Sequence, residues 1–158
     1  MDTALADNNT SELRMEYVNW LLACDCSSAT DKLSQLFLTW ETENVMTSEL
    51  LQTRLDFYTS SSQNALALTC ITSLLVQETW KNQEWLWVRA MDLQSANGAS
   101  SADMIVQLMQ ATKMCPSSLQ LWKQLLQTHI LSMSSVDIIQ TTYQVSIYKK
   151  AILLHILI

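Results

Sequence analysis

Polar and apolar positions alternate along this chain with the period of a helix. In residues 101–115 the apolar Met104, Ile105, Leu108 and Met109 recur at i, i+1, i+4 and i+5, and in 118–131 Leu121, Trp122, Leu125, Leu126 and Ile130 do likewise. Each set draws one wide apolar stripe along a helix, with polar residues on the opposite side. Strand-type alternation is nowhere sustained. The stretches that open these stripes share a grammar: Ser100-x-x-Asp103, Ser117-x-x-Gln120 and Ser134-x-x-Asp137. A hydroxyl at a helix N-cap, with an acid or amide three residues later, satisfies backbone donors that the first turn leaves orphaned. Ser100, Ser117 and Ser134 are therefore the expected N-caps, spaced 17 residues apart both times. That interval is one helix plus a short turn, so two intervals make one helical hairpin.

The rest of the chain fits the same count. First helices align on Tyr17, Leu51, Trp87 and Trp122, with steps of 34, 36 and 35. Second helices open near Asp31, Ala65, Ala102 and Val136, with steps of 34, 37 and 34. The dipeptide Leu86-Trp87 returns as Leu121-Trp122. The expected helices run over about 11–24, 29–43, 47–58, 64–79, 82–95, 101–115, 118–131 and 135–153. They make hairpins 11–43, 47–79, 82–115 and 118–153, preceded by a flexible lead over 1–10 and followed by an apolar tail over 154–158. Punctuation falls between them: Thr59 to Asn64 is polar, Ala96-Asn97-Gly98-Ala99 holds the one glycine, and Pro116 cannot continue the helix before it. The fold class is all-α, a helical-hairpin solenoid in which each hairpin buries its apolar side against its neighbours.

Composition supports this. One Gly and one Pro in 158 residues leave few helix breakers, and 49% apolar content is enough for a continuous core. The first fifteen residues hold Asp2, Asp7 and Glu12 and no hydrophobic run, unlike a signal peptide. The most apolar stretch, 151–158, is eight residues behind Lys149-Lys150, too short to span a bilayer. A solenoid that ends on apolar residues reads as a piece or alternative product of a longer array, prone to self-association there; the other reading tucks a final helix back onto the last hairpin.

Candidate chemistry is sparse. Cys24-Asp25-Cys26 is too tight for a C-x-x-C knuckle, Cys70 and Cys115 stand alone, and His129 and His155 are remote from them, so no metal or cofactor is expected. Glu41 and Glu43 read as a solvated helix end. A phosphate-cradling loop needs several glycines, and neither histidine has the setting of a nucleophile elbow, so the chain does not read as an enzyme. Residues 1–103 carry 5 Lys and Arg against 14 Asp and Glu, a net of −9, while 104–158 carry 4 against 1, a net of +3. Without clustered cations, little direct RNA binding is expected. Of six tryptophans, Trp87 and Trp122 are expected in the core, and Trp85 is expected to point away from it.

These residues resemble a known repeat. Leu86-Trp87 in a first helix, Ala102 through Ala111 to Pro116 in the second, then Leu121-Trp122, is similar to the half-a-TPR (HAT) repeat, well over about 82–131 and faintly over 12–79. In that repeat an aromatic anchors the first helix, small residues line the second and a proline closes it. The resemblance thus makes Tyr17, Leu51, Trp87, Trp122, Ala102, Ala111 and Pro116 the repeat-core anchors. Gln94 and His129 stand where HAT first helices usually carry a glutamate. The resemblance implies a scaffold in RNA processing without a cofactor. Among such proteins the chain looks most like a subunit of the small-subunit processome, which implies processome proteins and the U-three small nucleolar ribonucleoprotein as partners in the nucleolus. Splicing or 3′-end scaffolds, or a cytoplasmic TPR-like adaptor, are the alternatives.

Overall fold

The structure is a computed structural model that describes residues 2–24, 26–132 and 135–156. It is all-α: α1 Asp2–Ala23, α2 Ser27–Thr42, α3 Ser48–Ser60, α4 Asn64–Leu75, α5 Glu84–Ala96, α6 Ser101–Met114, α7 Leu119–Leu131 and α8 Val136–Ile156, with no strand among the described residues. Helix follows helix through short turns, as in a helical-hairpin array. The chain divides into two compact units, Met1–Ser62 and Gln63–Ile158. This boundary cuts the expected second hairpin, 47–79, between its two helices.

In the first unit α2 buries Ala29, Leu33, Phe37 and Trp40, one stripe at helical spacing, and α1 contributes the buried Val18 and Leu21. Phe37 ties α2 to α3: its ring lies 6.3 Å from Phe57 and 6.3 Å from Trp40, and Phe57 in turn lies 5.8 Å from Tyr58. Arg54 is buried beside this cluster. Its Nη1 donates to Glu41 Oε2 at 2.9 Å, its Nε donates to the Tyr58 hydroxyl at 3.1 Å, and the guanidinium lies over the Phe37 and Tyr58 rings. Glu41 is thus one half of an ion pair rather than a solvated terminus; the buried guanidinium draws it in. Asn44 closes α2 with φ 56, its N–H on Glu41 O and the Val45 N–H on Trp40 O, a Schellman closure. Thr47 then caps α3, accepting from Leu50 N at 3.3 Å. The backbone is helical from Asp2 onward, where Ala4, Leu5 and Ala6 favour helix and no breaker intervenes.

In the second unit α4 packs on α5, α5 on α6, α6 on α7 and α7 on α8, and α5 also reaches α7. That last contact stacks one hairpin, α5–α6, on the next, α7–α8. The core is Ala67, Cys70, Ile71 and Leu74 of α4, Leu86, Trp87, Ala90, Met91 and Leu93 of α5, Met104, Leu108 and Ala111 of α6, and Leu121 and Leu125 of α7. Gly98, at φ 78, ends α5 by the same closure as Asn44, with Gly98 N–H on Ser95 O and Ala99 N–H on Gln94 O. Ser100 caps α6: its Oγ accepts from Asp103 N at 3.2 Å and donates to Asp103 Oδ2 at 2.6 Å. The next cap is Ser118, one residue beyond the expected Ser117. Pro116 opens a turn closed by Ser118 N–H on Cys115 O, which carries Ser117 into solvent and sets Ser118 at the helix entrance. The third expected cap, Ser134, and the side chains of the apolar run 151–158 lie outside the described residues.

Candidate protein-docking groove

The α6–α7 turn is tied to the start of α5 and to its own helix by three hydrogen bonds. Ser118 Oγ accepts from Leu121 N at 3.2 Å and donates to Glu84 Oε1 at 2.6 Å, while the Cys115 thiol donates to Asn82 O at 3.4 Å. Burial, then the nearby Glu84 carboxylate, push the Cys115 thiol up from its ordinary value. Trp87 Nε1 donates to Lys81 O at 2.7 Å and Trp122 Nε1 to Pro116 O at 3.0 Å. These ties fix the direction in which α7 leaves the turn, and with it the side of α7 that carries Trp122.

Trp87 is 3% exposed. Trp122 occupies the equivalent place in its hairpin but is half-buried, a correction to its expected role as a core anchor. Its outer face lines an open groove of about 430 Å³ between α6, α7 and α8. Met109, Thr112 and Lys113 of α6 form one wall, Trp122, Leu125 and His129 of α7 the floor, and Ile138, Thr141, Thr142 and Val145 of α8 the other wall. Trp87 is closed over in its own hairpin, on a helix that packs against α4 and α6. The groove is apolar, with Lys113 as the charged group in its lining. Ile138 remains 49% exposed and Met109 47%. His129 and Gln94 are both buried and lie 35 residues apart in equivalent helices; Gln94 Nε2 donates to Gln107 Oε1.

The remaining expected anchors divide. Leu51 and Ala111 are fully buried. Tyr17 is half-buried; it stacks on Trp20 of the same helix, centroids 6.0 Å apart and 11° from parallel, and the Lys32 ammonium of α2 lies 5.8 Å from its ring. Ala102 is exposed on the first turn of α6, where the cap rather than packing fixes the backbone, and Pro116 is exposed in the turn and contributes its carbonyl, so neither is a core residue. Trp85 is half-buried, Trp40 is core and Trp20 is 60% exposed.

Helical spacing alone assigns Trp122 to packing and so misses the groove. A signal for it is present in Ile138 and Val145, seven residues apart on α8, an apolar edge facing the same side as Trp122 and Leu125. A second hollow, about 380 Å³ in the first unit, is lined by Cys24, Cys26, Ser27, Thr30, Ser60 and Ser61 among others; neither cysteine is in a disulfide. Among the described residues no group of three or more His, Cys, Asp or Glu is placed to hold a metal, and no helix is long and apolar enough to cross a membrane. No protein-family profile, curated protein or solved structure matches the chain.

Proposed function

We propose that this protein is a scaffold that works by protein contacts, taking the apolar side of an amphipathic helix into the groove between α6, α7 and α8. The observation that carries this reading is the half-buried Trp122 indole, held by its bond to Pro116 O in the floor of an apolar trough whose walls leave Ile138 and Met109 about half exposed. A positioned aromatic in a groove lined by aliphatic residues is the usual anchor for a docked helix. Within this reading the assembly is an RNA-processing particle, and the small-subunit processome of the nucleolus is the one proposed. Support for that narrower step comes from the HAT-like grammar of 82–131 and from the matching indole bonds of Trp87 and Trp122. The acidic balance favours protein neighbours over direct RNA contact.

The test is affinity purification of the full chain from nuclear extract, wild type beside Ile138→Glu. A charge in the groove wall should abolish recovery of the direct partner while leaving the helical content unchanged. Recovery of small-subunit assembly factors with the wild type supports the processome; recovery of splicing or cleavage factors moves the assignment there. Equal recovery by both proteins removes the groove from the account.

A further inference from the structure

We propose that the helix this groove receives is α1 of a second copy of the same chain, so that the protein assembles head to tail. The inference rests on the groove being a helix-docking site and names its occupant. On α1, Leu13 and Trp20 are 57% and 60% exposed, and Tyr17 between them stacks on Trp20. Positions 13, 17 and 20 stand at i, i+4 and i+7 and so form one stripe, the anchor pattern of a helix that docks in a groove. The stacked pair is held before binding, which lowers the ordering cost of docking.

The two surfaces agree in length and in charge. Leu13 to Trp20 is seven residues, as is Ile138 to Val145 along the groove wall, about 10 Å in each case at the helical rise. Glu16 is exposed beside the Leu13–Trp20 stripe, and Lys113 is exposed at the groove wall. The first unit, 1–62, carries 3 Lys and Arg against 10 Asp and Glu, a net of −7, whereas 63–158 carries 6 against 5, a net of +1. Glu16, on the acidic first unit, thus meets a wall whose charged member is Lys113, while Lys32 over the Tyr17 ring is the cation on the ligand side. Because α1 and the groove are different surfaces, the contact is heterologous and every open assembly keeps one free α1 and one free groove at its ends.

The test is sedimentation velocity of the full chain over rising concentration, comparing wild type, Glu16→Lys, Lys113→Glu and an equimolar mixture of the two variants. Both substitutions are at exposed positions and should leave helicity unchanged. Wild type should grow into species larger than a dimer, more readily at low salt. Each variant alone sets like charges against each other and should associate about tenfold more weakly. In the mixture, α1 of either variant meets the opposite charge in the groove of the other, so association should return. A wild type that stays monomeric, variants that associate as wild type does, or a mixture that fails to recover overturns the proposal. None of these results touches the groove as a site for a foreign helix, which the Ile138→Glu purification decides separately.

Discussion

Trp87 and Trp122 make the same hydrogen bond 35 residues apart: each indole Nε1 donates to the carbonyl oxygen six residues upstream, Lys81 in one hairpin and Pro116 in the next. The bond ties both rings to the turn that precedes their helices. What differs is exposure: Trp87 is buried, and Trp122 lines an open trough.

The two indoles should therefore differ in their effect on stability. Trp87→Ala should cost about 3–5 kcal/mol, as for other large core truncations, and Trp122→Ala roughly half of that, since part of its surface already faces solvent. Urea unfolding monitored by circular dichroism measures both. Equal losses would mean that the groove is closed in solution.

Ser117 and Ser118 are adjacent and chemically alike, yet only the second is tied into the structure. Ser118→Ala removes the cap of α7 and the bond to Glu84 and should cost about 1–2 kcal/mol. Ser117→Ala should fall within about 0.5 kcal/mol of wild type. A reversed order would restore the cap to Ser117.

Glu41→Ala strips the buried Arg54 guanidinium of its carboxylate. The loss should be about 2 kcal/mol, below the ~3–5 of a fully buried pair because the Glu41 side chain is 33% exposed. Glu43→Ala, at an exposed position one residue past α2, should be silent in the same unfolding assay.

The Cys115 thiol stays neutral in the fold at a pH where an unfolded chain begins to ionise it. Its folded value is raised, so stability is full below the ordinary thiol range and falls as pH climbs from about 8.5 toward the folded value, with a slope of at most about 1.4 kcal/mol per pH unit from this group. Unfolding midpoints measured from about pH 7.5 to 10 should show this decline, and Cys115→Ala should flatten it. Maleimide should label the exposed Cys26 well before Cys70 and Cys115.

The all-helical class, the glycine closure of α5, the Ser100 cap and the burial of Leu86, Trp87 and Leu121 are legible in periodicity and turn chemistry, because each depends on residues close in sequence. Several of the misreadings depend on what lies across a gap. Ser118, unlike Ser117, also bonds Glu84, 34 residues away. Trp122 carries the same local pattern as Trp87, and only the neighbouring helices make one core and the other a groove floor. Glu41 reads as solvated because its partner, Arg54, is 13 residues distant. The division after Ser62 leaves no mark in a repeat pattern that runs through it.

The most direct measurement is site-specific photo-crosslinking in cells from position 138, in the groove wall, against position 127, which is exposed on another side of α7. A photo-reactive residue at 138 should capture one amphipathic helical segment, identified by mass spectrometry of the adduct, and the same residue at 127 should capture none. Equal yields from the two positions, or adducts spread over unrelated segments, would contradict a docking groove between α6, α7 and α8.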